Sequence, residues 1–172
     1  MEDYDSKKKR SNGFRIKEMG DGFLCSVGYP FDVPGKDGVA NWALQLAKRF
    51  VEIFDQHCSD KNIERTCCIG ISYGEIEGYF PSSGIQEFQL FGASIVHATR
   101  YQELRKHFEF PPRKNLLVIQ ESVYQKLAGD FQEQCIVVPI NDGKTRVRDD
   151  YESRSFYFIA LKPVEYPQEK VS

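Results

Sequence analysis

The sequence predicts an α+β sandwich, one sheet with helices packed on it. Three observations carry that prediction. Two short segments with period-2 apolar alternation flank a Gly-Asp-Gly corner at residues 20–22. Residues 39–57 repeat apolar side chains at helical spacing, and a second helical segment over 93–107 ends before Pro111 and Pro112. Further apolar runs alternate with these helices along the chain, the order expected when helices cover a single sheet.

The strand-turn-strand runs from Arg15 to Gly28. Phe14 and Ile16 alternate with Arg15 and Lys17, and Phe23, Cys25 and Val27 alternate with Leu24 and Ser26. Asp-Gly is a favoured pair for a two-residue hairpin loop because glycine tolerates positive φ. Asp21 therefore sits at a rigid corner, its carboxylate free to meet a cation or to serve only the turn. Pro30 to Gly38 is a loop rich in helix breakers. The helix over 39–57 is expected to bury Ala43, Leu46, Ala47, Phe50, Val51 and Phe54, with Asp37 as its cap. Residues 59–62 form a turn. Residues 63–73 read as a strand apolar on both faces, hence central in its sheet. Residues 74–84 are a turn-rich excursion, a second hairpin or arm holding Tyr79 and Phe80, followed by a short strand over 86–91. After the second helix come a buried strand over 116–120, a short helix over 121–128, a strand over 131–140, a polar bend over 141–154 and a closing strand over 155–161. There is no internal repeat.

A chain of 172 residues with 41% hydrophobic and 13% aromatic content is one domain with a real core. Polar tails over 1–12 and 163–172 frame a domain over 13–162. A net charge of −2 speaks against bulk nucleic-acid binding. The Lys7 to Arg10 run reads as a solvated tail. No apolar run reaches the ~18 residues that span a bilayer, and the first twelve residues are too polar for a signal peptide. The five cysteines lack zinc-ligand spacing and are expected to be reduced thiols of a cytoplasmic protein. His57, His97 and His107 show no ligand spacing either and are expected at the surface or on helix flanks.

Three ordered segments carry a resemblance: Arg15 to Gly28, Cys68 to Gly78 with its repeated glycines, and Phe88 to Arg100. Together they resemble the class III adenylate/guanylate cyclase catalytic domain over roughly residues 13 to 162. The resemblance implies a ferredoxin-like βαββαβ-type sandwich that lacks its first strand and helices. It implies a phosphorus-oxygen lyase of cyclic-nucleotide signalling. Such an enzyme converts ATP or GTP to a 3′,5′-cyclic nucleotide and pyrophosphate, with Mg2+ or Mn2+ as cofactor, in a head-to-tail homodimer or heterodimer. Under it, Asp21 matches a metal-binding aspartate. Lys17 matches the base-selecting position, where lysine goes with adenine, and Gln89 falls at the second base-selecting position. Arg100 matches the arginine that holds phosphate in the transition state. Arg148 falls near the lysine that binds the terminal phosphates, with Lys144 and Arg146 as competitors.

Two departures from the family pattern stand out. Val96 occupies the place of a ribose-orienting asparagine, one helical turn before Arg100 and on the same face. His97 beside it points about 100° away around the helix. The family's other metal aspartate lies on a strand upstream of the hairpin, where only Met1 to Gly13 stand here. That strand is central, so the resemblance implies an N-terminally incomplete domain with a gap in its sheet and unpaired backbone beside it. A catalytically degenerate domain, acting as a nucleotide-binding or regulatory dimer partner, is the alternative. An RNA-binding ferredoxin-like module would need basic and aromatic side chains on the sheet face, which the charge balance disfavours.

Overall fold

The computed structural model describes residues 11–33, 38–80, 82–84, 88–140 and 146–161. Residues 1–10 and 163–172 of the expected tails, Asp37 and Lys144 lie outside them. The predicted hairpin forms: β1 (Phe14–Met19) pairs antiparallel with β2 (Gly22–Ser26). Its two loop residues are Gly20 and Asp21 rather than Asp21 and Gly22, since Met19 pairs with Gly22. The physical reason is φ: Gly20 takes +64° at the first central position, where a type II′ loop demands glycine.

α1 (Gly38–Asp60) buries Ala40, Leu44, Ala47, Val51 and Cys58 at helical spacing, together with Asn41 and Asp55. This stripe is rotated from the one expected. Ala47 and Val51 are common to both, but Leu44 rather than Leu46 or Phe50 faces the core. Phe50 instead meets Phe23 of the hairpin edge-on at 5.1 Å. Cys58 lies within the helix rather than after it.

The main sheet has the order β3-β6-β8-β7, from β3 (Cys68–Ile71), β6 (Asn115–Gln120), β8 (Ser155–Leu161) and β7 (Ile136–Pro139). β3 and β6 run parallel, and β8 is antiparallel to both its neighbours. All six β6 residues are buried, and the strand is the central rib of the molecule. Its odd-numbered Leu117 and Ile119 join Leu44, Val51 and Ile159 in one core. Its even-numbered Leu116 and Val118 join Tyr101, Phe156 and Phe158 in the other. Helices therefore cover both faces, as period-2 alternation requires.

Three expectations are corrected. β3 is an edge strand of four residues, because the exposed Glu64 and Arg65 leave the sheet. The run over 131–140 divides into α4 (Gly129–Gln132) and β7, because the amides of Phe131 and Gln132 both donate to Ala128. The helix over 121–128 is only α3 (Glu121–Tyr124) followed by turns. The expected second hairpin forms, β4 (Glu77–Tyr79) pairing antiparallel with β5 (Gln89–Phe91), so its second strand is the short strand expected over 86–91 rather than part of 74–84.

α2 (Ala93–Glu103) continues into a 3-10 turn over Leu104–Lys106 and stops before Pro111, as predicted. It lies directly on β3: a Cβ at Gly70 would fall 2.0 Å from the Ala98 carbonyl oxygen.

Candidate phosphate-binding site

α2 positions the site. Its start is pinned at Gly92, whose φ of +144° only glycine adopts readily, and where a Cβ would stand 2.4 Å from the Glu75 carbonyl oxygen. Ser94 anchors the first turn by donating to the same carbonyl at 3.3 Å. Arg100 therefore projects from the last turn of a helix that cannot slide.

Arg100 and Arg148 meet on one carboxylate. The Nε of each lies 3.6 Å from Asp149 Oδ2. Arg100 Nη1 also donates to Glu103 at 2.9 Å. That hydrogen bond, with Coulombic help from Glu103 and Asp149, outweighs partial desolvation and keeps the Arg100 guanidinium charged. Arg100 is half-buried against the protein, whereas Arg148 is exposed.

A buried polar network fixes the loop that carries Arg148 and Asp149. Asp150 Oδ2 accepts from Tyr101 (2.8 Å), Gln120 (2.8 Å) and Ser153 (2.9 Å). Burial pushes the Asp150 carboxyl upward, but these hydrogen bonds outweigh it and hold the group below the usual carboxylate range. Gln120 Nε2 lies 3.2 Å from His97 Nδ1, and His97 Nε2 lies 2.9 Å from the Asp149 carbonyl oxygen. With the ring proton on Nε2, His97 would accept from Gln120 and donate to the Asp149 carbonyl. Expected on a helix flank, His97 is a strut between β6 and the loop. Asp149 itself is held at φ +69°, a conformation that aspartate tolerates better than most residues.

Val96 is 43% exposed on the same side of α2 as Arg100. The other predicted residues lie elsewhere. Asp21 is exposed at the hairpin corner, Lys17 is exposed on β1, and Gln89 is exposed on β5, paired with Tyr79. Among the described residues, no hydrogen bond or ion pair joins these three to one another or to either arginine. Arg146 is exposed as well.

No group of three or more His, Cys, Asp or Glu side chains able to hold a metal ion occurs among the described residues. Asp21 is the one predicted ligand, and a magnesium ion held by it would fill the rest of its octahedral shell from water, phosphate or another carboxylate. Cys67 and Cys68 are held as thiols. Burial, aided by the nearby Asp55 charge, pushes Cys67 up to about 12, and burial takes Cys68 to about 11. No described helix is long and apolar enough to cross a membrane.

No protein-family model matches the chain, and no curated protein matches it. Solved structures do. The guanylate cyclase domain of RhGC from Catenaria anguillulae, in complex with GTP, superposes with a TM-score of 0.58 at 18% identity. The match covers 87% of this chain and 74% of that one. The catalytic core of a rhodopsin-guanylyl cyclase with converted specificity, in complex with ATPalphaS, gives 0.57 at 18% identity, covering 87% and 72%. The chain has the α+β fold of a nucleotidyl cyclase catalytic domain.

Proposed function

We propose that this chain is a nucleotidyl cyclase domain that converts ATP or GTP to a 3′,5′-cyclic nucleotide and pyrophosphate. One observation carries the reading. Two arginines 48 positions apart converge on one carboxylate, in a fold shared with a GTP-bound cyclase domain. Guanidinium groups match phosphate oxygens as well as carboxylate oxygens. A triphosphate would displace Asp149 and take both cations. In the reaction the ribose 3′-hydroxyl attacks the α-phosphorus and gives up its proton to solvent, the bond from the α-phosphorus to the bridging oxygen breaks, and pyrophosphate leaves with that oxygen. Arg100 and Arg148 would stabilise the charge that grows on the phosphate oxygens.

Lys17 and Gln89 would read the base. Lysine donates only, whereas glutamine both donates and accepts. Asp21 would act across a head-to-tail dimer on the site of a second subunit. Magnesium or manganese at that site would need oxygen ligands beyond Asp21.

Val96 supports a second reading, a domain that binds nucleotide without turning it over. It stands exposed one helical turn from Arg100 and offers no hydrogen bond to a ribose. Incubation with radiolabelled ATP and GTP in manganese separates the two. Cyclic product that disappears in Arg100→Ala supports the enzyme. Tight binding of a fluorescent nucleotide without product supports the second reading, and Val96→Asn should then raise turnover. Absence of both binding and product would overturn the proposal.

A further inference from the structure

Several chain segments are tied together where β3 and β6 begin. Asn115, the first residue of β6, is fully buried. It donates to both carboxylate oxygens of Asp55 on α1, at 2.8 and 2.9 Å, and accepts the Cys67 amide at 2.8 Å. Arg105, just past α2, donates to the Thr66 hydroxyl and, at 3.2 Å, to the Thr66 carbonyl oxygen. The last turns of α1, the 3-10 turn after α2 and the starts of two strands therefore make one end of the main sheet.

That end is basic. Residues 61–66 and 104–114 carry six Lys or Arg against two Glu, in a chain whose net charge is −2. Lys61, Arg65, Arg105, Lys106 and Arg113 are exposed. Cations beside helix C-termini complement the helix dipole, which accounts for Lys61, Arg105 and Lys106. It does not account for Arg65 and Arg113, which lie outside any helix. Arg113 is 3.7 Å from Glu64, but with 85% and 79% of the two side chains exposed the pair is weak. Apolar side chains are exposed among these cations: Ile63 before β3, and Pro111 and Pro112 before β6. The neighbouring rings, Phe108 and Phe110, are instead half-buried against Phe156, at 5.4 and 6.2 Å.

We infer that this end docks on an anionic lipid bilayer. Each Lys or Arg that reaches the surface adds to the attraction, and Ile63, Pro111 and Pro112 enter the headgroup boundary between them. Single-stranded nucleic acid fits less well, because its bases stack on exposed aromatic rings, and the rings here are committed to the core. The rest of the chain carries the acidic excess, so an anionic surface attracts this end alone and fixes the orientation of the domain. Nothing in the docking surface depends on nucleotide.

The full chain, sedimented with vesicles of phosphatidylcholine alone or with about 30% phosphatidylserine, tests this. At about 0.1 M salt the serine-containing vesicles should carry the protein down and the neutral ones should not. At about 1 M salt, where screening shortens to about 3 Å, the binding should vanish. Arg65→Glu combined with Lys106→Glu should weaken it at least about tenfold. Arg15→Glu combined with Arg49→Glu, on exposed side chains elsewhere, should leave it nearly unchanged. Equal binding to neutral and anionic vesicles, equal losses in the two double variants, or no binding would overturn the inference. So would displacement by a single-stranded oligonucleotide bound more tightly than lipid, which would make the end a nucleic-acid surface. Nucleotide turnover is not read, so this outcome and that of the cyclase proposal are independent.

Discussion

Asp149 and Asp150 are sequence neighbours with opposite tasks. Asp149 is half open to solvent and balances Arg100 and Arg148; Asp150 is 8% exposed and ties the loop to Tyr101 and Gln120. Removing the first charge frees Arg148 and leaves Arg100 with Glu103 alone, so Asp149→Asn should tighten nucleotide binding. The gain is small, roughly two- to fivefold, because screened pairs of this kind are weak; titration with a non-hydrolysable triphosphate reads it. Asp150→Ala instead strands two buried donors, and urea unfolding should show a loss of about 1–3 kcal/mol. The pH dependence follows from the depressed Asp150 carboxyl. A folded value below the unfolded one, about 3.9, gives stability that is complete above that pH and lost as acid reaches the folded value. Thermal melts between pH 7 and pH 3 should therefore fall more steeply for the wild type than for Asp150→Asn. None of this pairing was legible beforehand. Tyr101, Gln120 and Asp150 are spread over 49 positions, and nothing in a local pattern marks them as partners.

At the scale of elements, local periodicity served where one neighbour decides burial. The hairpin, the closing strand over 155–161 and the stop of α2 before the prolines all follow from alternation or breakers. α1 went astray because it serves two neighbours. Leu44 and Val51 meet the sheet while Phe50 meets the hairpin, so its apolar residues spread beyond one stripe and the sequence does not say which stripe is deepest. The sequence reads β3 as central because apolar residues occupy both its faces. That reading of the faces holds, with α1 packed on one side and α2 on the other, but β3 has a partner strand on one edge only. The seam between α2 and β3 is the tightest contact near the site. Gly70→Ala would drive a methyl group into the Ala98 carbonyl and the Gln102 amide, both backbone and unable to swing aside. Overpacking of this kind should cost about 1–3 kcal/mol, read by urea unfolding. It should also weaken nucleotide binding, because Arg100 rides on the displaced helix.

For the whole molecule, the main question is where Asp21 acts. It stands at the tip of a hairpin that shares no hydrogen-bonded strand with the main sheet, and no described ion pair connects it to Arg100. A carboxylate so placed is of little use to its own arginines but is well presented to another subunit. In a two-fold dimer with two shared sites, each site would take Asp21 from one subunit and Arg100 from the other. Asp21→Ala alone and Arg100→Ala alone should then both be inactive. Mixing the two variants should restore activity, because each mixed dimer holds one site with both defects and one site with neither. With random pairing the recovered rate should approach about a quarter of wild type. The exposed residues Lys17 and Gln89 should sort with one variant or the other in the same assay, which would show which subunit reads the base. If the mixture stays inactive while each variant remains folded and dimeric, Asp21 and Arg100 belong to one subunit's site or to none. The hairpin corner would then be turn chemistry alone.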